Sequence, residues 1–307
     1  MKFRATLVEL ACMRQFSCII HTLSKLSKTC VLRICDDRLY FIVPEDHSIP
    51  HRISVWCILH KNEFFNSYVM VGDGEKNEIF LEFSSDMLSS SLNSIKANSN
   101  VLSLKIKLTH KVAPCITLEL ALASATGSQI CTHDVPVLII PKKEWDDYKE
   151  PTITDYNVSI QMPGTKIVKN IVDKLRKISS KVTITATSRG TFSMLGKTTS
   201  ASIEVHFKDL IVKKLRDAGL KQIPFYGCYE NSFSFDDSLN IIHTYQISAT
   251  SPSASVCVEI KKISQFLTCD SINASIMVCN IVADHMLHMS LSHNGFALNY
   301  YMMAVEE

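Results

Sequence analysis

The chain has 307 residues, 46% of them hydrophobic and 20% charged, which supplies apolar matter for two domains with separate cores and excludes wholesale disorder. The formal net charge of +2 excludes a globally basic, nonspecific nucleic-acid binder. Any surface for DNA has to come from how the charge is distributed.

The first pattern is strand, helix, strand. Residues 3–10 alternate and are rich in apolar side chains, residues 11–25 read as a helix, and TCVLRI at 29–34 reads as a strand. Strand-like runs follow at 39–43, 53–59, 64–71 and 79–83. Ser84, Ser85 and Asp86 supply N-cap chemistry for a second, short helix carrying Met87, Leu88, Leu92 and Ile95. Three more strands are expected at 101–108, 115–122 and 130–137. From 138 to 156 the character changes: Pro141 and Pro151 bracket the charged run KKEWDDYKE, which reads as an extended connector.

The pattern then restarts, with a strand at 158–162, an amphipathic helix at 163–179 and a strand at 182–186. Setting the second half 152 residues after the first aligns both helices without a gap. Ile19 meets Ile171, Ile20 meets Val172, Leu23 meets Leu175, Leu26 meets Ile178, Lys25 meets Lys177 and Arg14 meets Lys166. A weaker echo places NEIFLEF and its short helix against Val256–Ile260 and a helix from Lys261 to about Thr268. A duplicated domain is the better reading. It predicts an α+β fold with antiparallel sheets and a helix pair covering one side. The expected division is 1–137 for the first domain, 138–156 for the connector and 157–307 for the second domain. Residues 209–253 fit the scheme poorly; we expect a long loop or insertion at about 211–250, with a helical turn near 210–215.

At 100° per residue, Ile167, Val168, Ile171, Val172, Leu175 and Ile178 fall on one face of the later helix. Lys166, Lys169, Lys174, Lys177 and Lys181 fall on the other, with Arg176 at its edge. Between 163 and 181 six basic residues stand against one acid, Asp173. In the first helix Cys12, Phe16, Ile19, Ile20, Leu23 and Leu26 are expected inward, while Arg14, His21 and Lys25 face outward and Lys28 follows. The short helices add Lys96, Lys261 and Lys262. A charge run usually marks a solvated face, but such faces mix both signs. Single-sign faces on two equivalent helices suit contact with phosphates.

Catalytic and metal chemistry find little support. No GxxxxGK[ST] or GxGxxG occurs. His285, His288 and His293 approach metal-ligand spacing, but no Cys or acidic set completes a site. Cys131, His133 and Asp134 resemble fragments of a thiol site, yet fall in a strand-like run. The 11 cysteines show no repeated spacing, which suits a reducing compartment and buried thiols. MKFRATLVEL lacks the apolar core of a secretory signal, and no stretch reaches the roughly 20 apolar residues of a membrane span. No enzyme activity, cofactor or metal is expected.

Several segments, taken in order, resemble one family. MKFRA, KLSKTCVLRI, WC at 56–57 with FFN at 64–66, NEIFLEF, LKIKLTHK, THDVPVLIIPKKEW, HFKDL at 206–210 and VCNIVADHMLHMSL at 278–291 look like the Hus-type subunit of the checkpoint clamp, the nine-one-one heterotrimer. That clamp is related to the replicative clamp, proliferating cell nuclear antigen. The resemblance covers nearly the whole chain. It implies a DNA clamp fold, a ring with two other checkpoint-clamp subunits around double-stranded DNA, and helices lining the channel. It also implies loading by an ATP-driven clamp loader, recruitment of repair and signalling proteins, and a place in the nucleus. Ile140, Pro141, Trp145 and Tyr148 in the connector are the candidate partner-binding residues. The segment near 211–250 departs from the family's pattern. Two other readings stand beside this one, an interaction adaptor whose basic helices bind acidic partners and a homotrimeric replicative clamp. A nuclease would need clustered acidic metal ligands, which the sequence does not offer.

Overall fold

The computed structural model describes residues 1–45, 53–74, 76–97, 100–124, 127–151, 153, 155–213, 246–247, 253–268, 276–293 and 295–306. The first half runs β1 (Lys2–Leu7), α1 (Leu10–Leu26), β2 (Thr29–Ile34), β3 (Arg38–Pro44), β4 (Ile53–His60), α2 (Lys61–Phe64), β5 (Ser67–Val71), β6 (Ile79–Ser84), α3 (Ser85–Ser91), α4 (Asn93–Ala97), β7 (Val101–His110), β8 (Pro114–Ser124) and β9 (Gly127–Ile139). A 3-10 helix at Lys142–Tyr148 leads to β10 (Asp155–Tyr156), β11 (Val158–Gln161), α5 (Thr165–Leu175), β12 (Lys181–Thr187), β13 (Phe192–Lys197) and β14 (Ser202–Phe207). The chain finishes with β15 (Gln246–Ile247), β16 (Ser253–Glu259), α6 (Ile260–Phe266), β17 (Ile276–Val282), β18 (Met286–His293) and β19 (Phe296–Met303).

The strand order repeats. The first half carries β4-β3-β2-β6 and the second β14-β13-β12-β16; likewise β9-β8-β7-β1 answers β19-β18-β17-β11. The halves are joined inside one 13-stranded sheet, where β19 pairs antiparallel with β4 from Phe296↔Leu59 to Tyr300↔Val55. The equivalence is 152 residues at β2 and β12, but α3 begins at Ser85 and α6 at Ile260, an offset of 175. The extra length therefore enters between those points in the second half. Most of the insertion expected at 211–250 lies outside the described residues.

Burial explains why these segments form these elements. In β2, Cys30, Leu32 and Ile34 enter the main core while Val31 enters a second cluster on the opposite face. Covered on both sides, the strand reads as a continuous apolar run. Its counterpart β12 buries only Val182, Ile184 and Ala186, and alternates as a one-sided strand should. Ser84 caps α3, its hydroxyl accepting from the amide of Met87 at 3.4 Å.

Several expectations are corrected. The first strand stops at Leu7, because Leu10 already opens α1. The run 64–71 begins as the short helix α2, and its strand starts at Ser67. The later helix covers Thr165–Leu175 rather than 163–179. Past Leu175 the chain tightens into turns, with the Ile178 amide bonding Leu175 O at 2.9 Å. No helical turn forms at 210–213; Val212 makes an antiparallel bridge to Ile160 instead.

Candidate nucleic-acid interface

The helices line up in one row. α1 lies between α3 and α6, and α6 in turn touches α5. Gln265 Nε2 on α6 donates to the Lys25 carbonyl at the end of α1 at 3.1 Å, tying the halves together within this row. The helices share the main core with both sets of sheets, while the second cluster, built around Trp56, Phe80 and Tyr301, contains no residue of α1–α6. The helix row therefore occupies one face of the continuous sheet and the second cluster the other.

α5 is seated by Val168, Val172 and Leu175, all buried. Each contributes roughly 1.5–3 kcal/mol of apolar burial. Ile167, expected inward, is 54% exposed. On the helical wheel it stands 100° from Val168, beyond the buried arc that the other three define. In α1, Met13 is fully buried although it was not among the expected core residues, and Cys12 and Leu26 are half-buried. Ser17 and Thr22 are buried because α3 and α6 cover the flanks; the Ser17 hydroxyl donates to Leu92 O at 3.4 Å.

The basic candidates separate into groups. Arg14, Lys25, Lys28, Lys166, Lys174, Lys177 and Lys261 are exposed, and Lys169 is half-exposed. Asp173, the single acid of α5, accepts from Ser264 Oγ at 3.4 Å, and Arg176 Nη1 donates to the same hydroxyl at 3.1 Å. This links α5 to α6 and leaves the exposed lysines unmatched by any acid on their own helix. Three expected residues stand elsewhere. His21 is half-buried against α3, its Nδ1 3.2 Å from Ser89 Oγ. Lys181 opens β12 rather than ending a helix, and its amine donates to the Glu306 carbonyl. Lys262 is ion-paired with Glu45 at 3.6 Å. Lys96 lies on α4.

The connector is not extended. β9 runs to Ile139, and the 3-10 helix folds onto the second cluster. Ile140 is buried, Trp145 stacks on Phe80 at 4.7 Å, and its Nε1 donates to Ile140 O at 2.9 Å. Tyr148 lies 6.4 Å from the same ring, while Pro141 is exposed. Sequence reasoning missed the polar centre of this cluster. His288 Nδ1 is 2.6 Å from the Tyr156 hydroxyl and 3.1 Å from Asn280 Nδ2, and its Nε2 is 3.2 Å from Asn299 Oδ1. The amide oxygen of Asn299 accepts, so Nε2 carries the proton and Nδ1 accepts. Burial lowers His288 to about 4, so the ring is neutral near pH 7. The sequence favoured a surface or partly buried histidine over a metal ligand here, and His288 is fully buried. Cys131 and Asp134 lie on β9, where Asp134 bonds Thr117 Oγ1 and Lys111 Nζ, both at 2.6 Å. Among the described residues no group of three or more His, Cys, Asp or Glu could hold a metal ion, and no helix is long and apolar enough to cross a membrane.

Solved structures of one kind of protein share this fold. Proliferating Cellular Nuclear Antigen from Entamoeba histolytica superposes with a TM-score of 0.67 at 13% identity, covering 99% of both chains. PCNA from Thermococcus kodakaraensis gives 0.62, also at 13% identity, over 98% of this chain and 99% of that one. The architecture is thus the DNA clamp fold. In sequence, the chain is 37% identical to "Checkpoint protein HUS1" of Homo sapiens over 307 residues, 99% of this chain and 100% of the relative. It is 30% identical to "Checkpoint protein Hus1-like" of Drosophila melanogaster, over 69% of this chain and 77% of the relative. The family described as "Hus1-like protein" matches residues 1–306, and this chain belongs to it.

Proposed function

We propose that this chain is a non-catalytic subunit of a heterotrimeric checkpoint clamp that encircles duplex DNA in the nucleus and holds repair and signalling proteins there. One observation carries the reading. Inside the chain β19 of the second half pairs with β4 of the first. The strands in the equivalent positions, β9 over residues 127–136 and β14, each have one neighbour among the described residues, β8 and β13 respectively. An open edge that repeats an internal seam is suited to making the same seam with another chain, and a closed ring removes such edges. The two halves then act as two clamp domains joined by the 138–156 segment.

The exposed lysines of the helix row, with Arg14, suit the phosphate backbone without reading sequence. Encirclement keeps the ring on DNA, so these contacts can be weak and allow sliding. Loading by an ATP-driven clamp loader accompanies this reading. The test uses the chain assembled with its two partner subunits on nicked circular plasmid. The ring should remain with the circle through gel filtration and slide off after the plasmid is cut. Retention unchanged by linearisation would refute encirclement.

A further inference from the structure

The two open edges differ in chemistry, and the internal seam shows what they would have to match. Trp56 on β4 faces Ile42 on β3, and Glu204 on β14 faces Leu195 on β13. Ile42 and Leu195 are equivalent, because they pair with Val31 and Thr183, which stand 152 residues apart. Glu204 therefore occupies the place of Trp56. On the other edge, the row Leu104, Leu120, Cys131 answers Cys279, Met289, Tyr300. Cys131 thus occupies the place of Tyr300, and Ile130 that of Asn299. The faces agree: Tyr300 and Cys131 both pack on the main core.

The internal seam is apolar on its inner face. Phe296 lies opposite Leu59, Leu298 opposite Cys57 and Tyr300 opposite Val55, all within the main core. Two copies of this chain joined in the same register would set Gly127 against Phe207, Gln129 against Val205 and Cys131 against Ile203. Phe207 packs on Phe192 at 6.0 Å within the chain, but a glycine offers its ring nothing from across the seam, and an amide is pressed against valine. On the outer face Ile130, 63% exposed in the free chain, would meet the Glu204 carboxylate, whose described neighbour is His206 Nε2 at 3.5 Å. A carboxylate set against isoleucine and an amide pressed on valine oppose association.

We infer that Glu204 on β14, with Gln129 and Ile130 on β9, bars self-pairing and makes each edge select a different neighbour. The inference rests on the ring reading above. The β14 edge fits a strand presenting a lysine or arginine opposite Glu204 and a large apolar side chain opposite Phe207. The β9 edge fits a strand presenting an apolar residue opposite Ile130 and a polar group opposite Gln129. Charge complementarity at Glu204 and apolar complementarity at Ile130 assign the two sides.

The experiment titrates the full-length chain separately against each of the two other clamp subunits of the same organism, with sedimentation of the chain alone. The wild type should sediment as a monomer at micromolar concentration and bind both subunits. Glu204→Lys should weaken one subunit by about tenfold or more and leave the other unchanged. Ile130→Glu should do the reverse. Retained binding at the unaltered edge reports that each variant is folded. Self-association of the wild type, both substitutions weakening the same subunit, loss of both subunits together, or no effect of either would overturn the inference. A wild-type chain that binds neither subunit would instead defeat the ring reading itself.

Discussion

His288 makes the stability of this chain depend on mild acid. The ring is buried and neutral between Tyr156, Asn280 and Asn299, and stacks on Tyr301 at 4.5 Å. Its pKa is about 4 in the fold against 6.5 for a free histidine. Between those values the unfolded chain binds the proton that the native ring refuses, so stability is complete above about pH 6.5 and falls as pH drops toward 4. The full shift corresponds to about 3 kcal/mol, and the part lost between pH 7.5 and 5.0 to about 2 kcal/mol. Urea unfolding at the two pH values, for wild type and His288→Gln, isolates this contribution, since other titrating groups are common to both. The wild type should lose about 2 kcal/mol more than the variant on acidification. Equal losses would refute the assignment of a neutral, proton-refusing ring.

Three further outcomes follow from the geometry. Replacing Lys166, Lys174 and Lys177 by alanine in the assembled ring should lower the slope of log affinity for DNA against log salt by about 2–3, measured by fluorescence anisotropy, with little change among DNA sequences. Trp145→Ala removes the stack on Phe80 and the bond to Ile140 O. It should cost about 1–2 kcal/mol, because the indole is half-buried, and speed tryptic cleavage at Lys142, Lys143 and Lys149. Gly190→Ala should lower the thermal midpoint measurably. Gly190 has φ +83°, and an added Cβ would stand 2.4 Å from the Leu210 carbonyl oxygen. The left-handed conformation alone costs about 1–2 kcal/mol for alanine, before the clash is relieved.

The elements that local pattern determines were legible. β2 and β12 and the cores of α1 and α5 follow from side-chain period, and the 152-residue repeat ties them. The end of α5 was not, because Lys177, Ile178 and Lys181 continue the helical spacing after the backbone has turned at Arg176. Lys181 and Lys262 read as outward, DNA-facing charges because their partners, the Glu306 carbonyl and Glu45, arrive from distant segments that local pattern does not show. The connector looked extended since its prolines and charges say nothing of Phe80, against which Trp145 lies. The β4–β19 seam leaves no trace in either strand taken alone. β4 reads as a strand at 53–59, while no element is assigned to 296–303, where β19 forms.

That seam also sets a schedule for folding. β4 ends at His60, yet the strand that completes its ladder begins at Phe296. At about 5–20 residues per second, a ribosome takes on the order of ten seconds to a minute to make the intervening chain. Throughout that interval the nascent first half displays an unsatisfied, strongly apolar border carrying Val55, Cys57 and Leu59, the kind of surface that invites misassociation. Truncations that remove the last dozen residues should therefore yield insoluble product in cells, even though everything they delete lies at the far end of the chain.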